Sequence, residues 1–500
     1  LVGSEMCIRD SVTLEDFIFP EQVSTFNTVV YSSAVPQSHP ILVGAREAGL
    51  RLLRRGEMLA EIAQSKRLIA VAGSHGKTTT SGMIAHGLRH SQLEASYILG
   101  GLFSNKSTPP AHFCESDWLV AEVDESDGTI DQFAPEVTLV LNVDWDHADH
   151  YGDATKLDAA FSGLLKRTKQ KLLLPDSLHL KPTGAATIQT FDDTAKRLGL
   201  DAAPSGRFNQ VNGDAAAAVL SFFDQPLKSD TLASFPGMAR RQSILYQDAQ
   251  LTVVEDYAHH PTEIDALIES LRANEPDKQL VVVFQPHRYS RTCQFKSEFA
   301  HSLQAADAVY LLPVYAAHES ELAGGKAADL ANAFTDQAPV ELVMSLGGMR
   351  QLREAIKDSP TQLAFVGAGD IDEFAGAFAS WLRASASVGQ VASPGSVGEA
   401  PSLDAAWVDY LVPRVSPECK LRSHEPLANK TTIRIGGSAR FYAEPANYSD
   451  LRVLLRAAEL YELKSFCLGR GSNLLVSDHG FDGLVIRFSA SAWRRVVSLG

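Results

Sequence analysis

Residues 72–80 read AGSHGKTTT, a glycine-rich turn that closes on a lysine and a run of threonines. Gly73 and Gly76 would let backbone N–H groups approach an anion across Ser74 and His75, with Lys77 placed to neutralise β- and γ-phosphate charge. The Thr78 hydroxyl suits Mg²⁺, and Thr79 continues the same polar edge. The run before the turn, LIAVA, is short and apolar and predicts a buried strand, while SGMIAHGLRH after it has helical character. The general phosphate-loop pattern is incomplete, because Val71 stands where its first glycine belongs. A structural strand-to-helix connection is the competing reading. The chemistry implied is that of a nucleotide triphosphate, most simply ATP.

Four further turns carry reactive side chains. In LVAEVDESDG (119–128) a strand ends in acid, the usual way of presenting a carboxylate to a phosphate-bound metal, and Glu122 is the candidate by position. Asp124, Glu125 and Asp127 read as acidic bystanders on a solvated turn. VLNVDWDHADHYG (140–152) crowds Asp and His into another strand-to-turn junction, where helix capping is the alternative to cation binding. VVEDYAHHPTEI (253–264) and VVFQPHRYSRT (282–292) place Asp256, Tyr257, His259, His260, His287, Arg288 and Arg291 in turns after strands, where binding residues collect. The two arginines could form a fork for a carboxylate or phosphate, or could be solvated turn residues.

The elements that must position these groups follow from alternation. Strand-like runs at 28–32, 68–72, 118–122, 138–143, 251–255, 280–284, 308–312 and 363–366 are separated in many places by helix-compatible segments. That order predicts an α/β fold with parallel sheets and crossover helices. A 500-residue chain calls for three or more domains, and 45% hydrophobic with 21% charged residues describes a mixed globular composition. A net charge of −15 argues against a general nucleic-acid or anionic-membrane binder, and no apolar run is long enough for membrane insertion. The 5 cysteines are scattered without a CxxC pair, as expected in a reducing cytoplasm. Residues 1–11 read as a non-native leader, and both ends read as truncated. The stretch 384–405, poor in charge and rich in Ala, Ser and Gly, reads as a flexible linker that separates two independent modules. Beyond it, the turn Gly469, Arg470, Gly471, Ser472, Asn473 offers several N–H donors and one cation, suited to a pyrophosphate.

The wording of these motifs resembles the Mur ligase family. GSHGKTTT is similar to that family's shortened phosphate loop, EVDESD to its EADESD element, and NVDWDHADHYG to its NxxxDHxDxxG element. The resemblance implies Glu122 as a metal ligand and His147 as a group near a second Mg²⁺. SGRFNQVNGDAA is similar to the family's GxHNxxNxxAA segment, with Asn209 and Asn212 in register as nucleotide contacts and Phe208 where His is usual. The segments 253–264 and 282–292 resemble the branch that adds L-alanine to UDP-N-acetylmuramate through an acyl phosphate, and His318 departs from that branch's YAAGE motif. Implied catalytic groups are Lys77, Glu122, His147 and Arg288, with the 256–260 turn and His287, Arg288 and Arg291 holding substrate. A peptide-recycling ligase is the alternative within the family. The implied fold is a partial UDP-substrate domain (12–65), a central ATP-binding domain (66–234) and a C-terminal Rossmann-like domain (235–383). Residues 406–500, with TIRIGG and GRGSNLL, resemble part of the FAD-binding domain of the UDP-N-acetylenolpyruvoylglucosamine reductases. That implies FAD contacts at Arg434, Gly436, Gly437, Gly469, Arg470, Gly471, Ser472, Asn473 and Leu474; a non-catalytic interaction module is the alternative.

Overall fold

A computed structural model describes residues 26–489 and Trp493, apart from 34, 106, 146–147, 204–205, 224, 318, 390–402, 470 and 473. The expected leader, His147, His318, Arg470 and Asn473 therefore lie outside the described residues. The chain divides into two compact units.

The first unit comprises the described residues up to Ser243 together with His260–Pro276. Its centre is a seven-stranded sheet in the order Ala111–His112, Ser96–Ile98, Trp118–Glu122, Arg67–Ala72, Val137–Val140, Lys171–Leu174, Thr187–Thr190. All neighbours pair in parallel except the edge strand Ala111–His112. The central strand Arg67–Ala72 is apolar because both faces are covered: Ile69 and Val71 join one core cluster, Leu68, Ala70 and Ala72 the other. A small parallel pair, Thr28–Tyr31 with Arg51–Arg54, belongs to the same unit.

The second unit takes Ile244–His259 and the chain from Asp277 onward. Leu251–Asp256, Thr361–Val366, Gln279–Phe284, Ala308–Leu311 and Val340–Glu341 pair in parallel in that order. Every strand-like run of the sequence reading is a strand, with 138–143 ending earlier, at Val140. A separate four-stranded sheet, Lys420–Pro426, Ser438–Glu444, Phe481–Arg487, Lys464–Leu468, lies in the same unit with the helix Tyr448–Leu460.

Two expectations about the stretch 384–405 require correction at its described ends, 384–389 and 403–405, while 390–402 lie outside the described residues. The helix Ile371–Gly389 runs into it and the helix Leu403–Leu411 starts within it; alanine is a good helix former, and the prolines of the stretch lie between the two helices. The modules on either side are not independent, because they share one core. Phe374, Phe378, Trp381 and Leu382 of the first helix cluster with Trp407 and Tyr410 of the second and with Phe441, Leu454 and Tyr461 beyond it. The helix Ile371–Gly389 is apolar around most of its circumference, as a helix covered on two sides must be. Tyr461 Oη donates to the carbonyls of Ala377 (3.1 Å) and Ala406 (3.3 Å), and Trp407 stacks on Phe441 with ring centroids 4.1 Å apart.

Candidate active site

The glycine turn forms where it was expected. Strand Arg67–Ala72 ends at Ala72, Gly73 takes φ 139° and Gly76 takes φ 84°, and the helix Lys77–His90 begins directly after. A Cβ on Gly76 would sit 2.7 Å from Asn212 Oδ1, so the helix Arg207–Leu220 brings Asn212 against the loop. Asn209 lies one turn earlier on that helix, and Phe208 beside it. The loop is held from below by the next strand's exit: His75 N donates to Asn142 Oδ1 (2.8 Å), and Asn142 Nδ2 returns a bond to the His75 carbonyl (3.1 Å). Ser74 Oγ donates to the Asp144 carbonyl at 2.9 Å.

Lys77 Nζ donates to the Gly73 carbonyl (2.6 Å) and to Glu125 Oε2 (2.8 Å), with Asp124 Oδ1 at 3.8 Å. Burial opposes its charge, yet the carboxylates of Glu125 and Asp124 outweigh that and raise its pKa. Glu125 is thereby corrected: it is not a solvated bystander but a fully buried partner of the lysine. No local signal marks it, since the pairing spans 48 positions. Asp124 and Asp127 do build the turn, accepting from Ser126 and Thr129.

Glu122 and Thr78 converge. Thr78 Oγ1 donates to Glu122 Oε2 (3.0 Å), while Ser81 Oγ (2.7 Å) and Gly100 N (2.6 Å) donate to Oε1. Among the described residues no three His, Cys, Asp or Glu side chains form a ready-made metal cluster. One hydroxyl and one carboxylate beside a phosphate loop suit Mg²⁺, which keeps water and takes phosphate oxygens as ligands. Thr79 is the third residue of the helix and makes no bond to this pair.

His75 is almost completely buried. Its Nδ1 lies 3.2 Å from Glu263 Oε1 and its Nε2 3.5 Å from Asp144 Oδ2, with the His260 ring centred 5.0 Å away. Burial alone would lower its pKa, but Glu263 and then Asp144 raise it. His260 caps the helix Pro261–Asn274, its side chain accepting from Thr262 N.

In the second unit the expected substrate residues gather at the carboxyl ends of parallel strands. Asp256 Oδ1 accepts from Ala258 N (2.7 Å), and His259 Nδ1 lies 3.0 Å from the Tyr257 carbonyl. The His259 and His287 rings are 5.9 Å apart, and His287 stacks on Tyr315 at 5.6 Å. Arg291 Nη1 lies 3.4 Å from His287 Nδ1 and is buried. Arg288 holds φ 69°, a conformation disfavoured for any residue with a Cβ, while its N–H donates to the Tyr315 carbonyl (2.8 Å). Tyr315 is a member of this cluster that sequence reasoning missed; it lies on a separate turn, within a motif read only as family context.

In the C-terminal sheet, Thr432 N donates to the Gly471 carbonyl (3.0 Å) and Gly437 N to the Ser477 carbonyl (2.8 Å), so the two glycine turns meet. Gly471, at φ 68°, has no room for a Cβ against the Lys430 carbonyl; Gly436 is likewise closed by Val476, and Arg434 takes φ 59°. Gly469 has open space around it, and Ser472 and Leu474 follow in the turn. Leu427, Leu468, Leu474 and Val476 line a mainly apolar cavity, onto which Thr431 also opens with a buried hydroxyl that has no hydrogen-bond partner among the described residues. The apolar wall beside the Thr431 hydroxyl suits a flat ring, while the Thr432 and Gly437 amides are already bonded within the turns and Gly436 and Gly471 are closed by protein atoms.

Comparison with known proteins agrees with the ligase part of this arrangement. Residues 71–177 match the Mur ligase middle domain, 240–373 the Mur ligase glutamate ligase domain, and 15–67 the Mur ligase family catalytic domain. A UDP-N-acetylmuramate--L-alanine ligase of Coxiella burnetii is 33% identical over 341 residues, 60% of this chain and 73% of its own length. One from Cytophaga hutchinsonii is 32% identical over 384 residues, 69% of this chain and 80% of its own. The solved UDP-N-acetylmuramate-alanine ligase of Thermotoga maritima shares the fold, with a TM-score of 0.58 at 24% identity over 72% of this chain and 86% of that one. No described helix is long and apolar enough to cross a membrane. Matching domain models from residue 15 to 373, relatives aligned over most of their length and the phosphate loop's geometry lead to one assignment: the chain belongs to the Mur ligase family.

Proposed function

We propose that this chain is a cytoplasmic UDP-N-acetylmuramate--L-alanine ligase of peptidoglycan synthesis that uses ATP and Mg²⁺. The observation that carries the reading is Lys77, a charged ammonium buried between loop carbonyls and two carboxylates at the mouth of a glycine turn. The lactyl carboxylate of the sugar nucleotide takes the γ-phosphoryl group of ATP, giving an acyl phosphate and ADP. The amine of L-alanine then attacks the acyl carbon, and the tetrahedral intermediate expels phosphate to leave the amide. Lys77 and the amides at the start of the helix Lys77–His90 stabilise charge on the transferring group. Thr78 and Glu122 would hold Mg²⁺, which supplies charge neutralisation between the phosphates when bound; His147 is proposed for a second cation. Asn209 and Asn212 would contact the nucleotide. Asp256, Tyr257, His259, His260 and His287 would line the substrate side, with the Arg288 and Arg291 guanidiniums orienting the amino-acid carboxylate.

The C-terminal sheet is proposed as a partial FAD-binding module of the UDP-N-acetylenolpyruvoylglucosamine reductase type. Arg434, Gly436, Gly437 and the turn 469–474 would hold the pyrophosphate, and FAD supplies hydride-transfer chemistry when bound. Phosphate release from ATP, measured with UDP-N-acetylmuramate and a panel of amino acids and the recycled tripeptide, tests the ligase reading. L-alanine should give the highest turnover. Preference for the tripeptide, or release that needs no sugar nucleotide, overturns it. Flavin absorbance of the purified protein after incubation with FAD tests the second module.

A further inference from the structure

We propose that Arg456, on the helix Tyr448–Leu460 of the C-terminal segment, is a positioning residue for the substrate turn 285–288 and the start of the helix Tyr289–Leu303 in the ligase half, acting through Asp370 and Gln285. The inference rests on the reading that this turn binds substrate. Arg456 Nη2 donates to Asp370 Oδ2 at 2.9 Å, and Gln285 Nε2 donates to the other oxygen, Asp370 Oδ1, at 2.7 Å. One carboxylate thus joins the C-terminal helix to the turn's first residue. Arg456 is fixed in turn, through Nε to Glu373 Oε2 (2.6 Å) and Nη1 to Glu459 Oε2 (2.7 Å), and only 17% of its side chain is exposed.

Gln285 ties the Asp370 carboxylate to the backbone at the start of the turn. It is buried, its N–H donates to the Val366 carbonyl (3.0 Å), and its Oε1 accepts from Ile371 N (3.1 Å). Gly369 packs so closely on Oε1 and on Tyr315 that a Cβ there would collide with both. Three residues on, Arg288 holds its strained φ of 69°. A strained residue persists only where its surroundings over-determine it, and the Gln285 clamp is the anchor on its N-terminal side. Loss of the Arg456 fork would leave Asp370 free to turn from Gln285 and would loosen the backbone that aims Arg288 and Arg291.

Hydrogen exchange on the full chain tests this directly. In Arg456→Ala, the amides of Arg288 and Thr292 should exchange about tenfold faster, while those of Gln279–Phe284 stay as in the wild type. Arg456→Lys, which can keep one bond to Asp370, should restore part of the protection. Glu459→Gln, whose amide oxygen can still accept from Arg456 Nη1, should leave the turn unchanged. In parallel, the KM for L-alanine should rise several-fold in Arg456→Ala and the KM for ATP should not. Unchanged exchange at Arg288 and Thr292 in a folded Arg456→Ala protein, or faster exchange spread evenly over both sheets, overturns the proposal. The exchange readout stands even if the wild type proves inactive toward L-alanine, so failure of the functional reading is told apart from failure of this one.

Discussion

Lys77 and Glu125 set the terms of any mutation in the phosphate loop. Removing the lysine alone strands a fully buried carboxylate, which costs about 3–5 kcal/mol. Lys77→Met should therefore abolish turnover and also lower the denaturation midpoint, whereas Lys77→Met with Glu125→Gln should stay inactive and recover most of the stability. Equal stability of the single and double variants in urea titrations would contradict the pairing. His75 makes a pH-dependent contribution. Its folded pKa lies above its unfolded value of about 6.5, so the stabilisation is complete below that pH and is lost as pH rises through the folded value. The stability difference between the wild type and Glu263→Gln should accordingly shrink as urea titrations move from pH 6 to pH 9. Arg288 shows the opposite trade. Arg288→Gly relieves a backbone penalty on the order of 1 kcal/mol and should leave stability unchanged or raised, while ligation falls sharply because the guanidinium is gone; a clear loss of stability would show that the side chain serves packing.

At the scale of elements, the phosphate turn is a fit between two helices. Gly76→Ala combines a φ of 84° with a Cβ 2.7 Å from Asn212 Oδ1, so it should weaken ATP binding at least tenfold and cost roughly 1–2 kcal/mol. Gly199→Ala, with positive φ but open space around it, serves as the comparison for strain alone. What the sequence makes legible at this scale follows from locality. Trp118–Glu122 was readable to the residue because an apolar run ends in one acid, and the loop because its glycines, lysine and threonines are contiguous. Glu125 was not, because a carboxylate on a turn looks solvated until a partner 48 residues away closes over it. Residues 384–389 read as linker for a related reason: Ser and Gly there suit a linker, and the packing of Trp381 and Leu382 that carries the helix on is not local.

Across the whole molecule, the core shared by Phe378, Trp407, Phe441 and Tyr461 ties the C-terminal sheet to the ligase's last domain. A protease site inserted between Gly389 and Leu403 should give two pieces that still co-elute in gel filtration, and calorimetry should show the C-terminal sheet melting with the sheet of Leu251–Asp256 and Thr361–Val366. Separate elution or a distinct, earlier transition for the C-terminal piece would restore the picture of two independent modules. The same helix also bears on where such a gene can be divided. The match to the Mur ligase domain model ends at residue 373, yet Trp381 and Leu382 just beyond it are buried in the shared cluster. An expression clone trimmed to the homologous region, or to the end of the helix, would shed Trp407, Tyr410 and Tyr461 and turn an interior helix face into an oily surface. Such a clone is expected to give aggregated protein, so for this chain the boundary suited to producing a ligase in isolation is set by burial and not by ancestry.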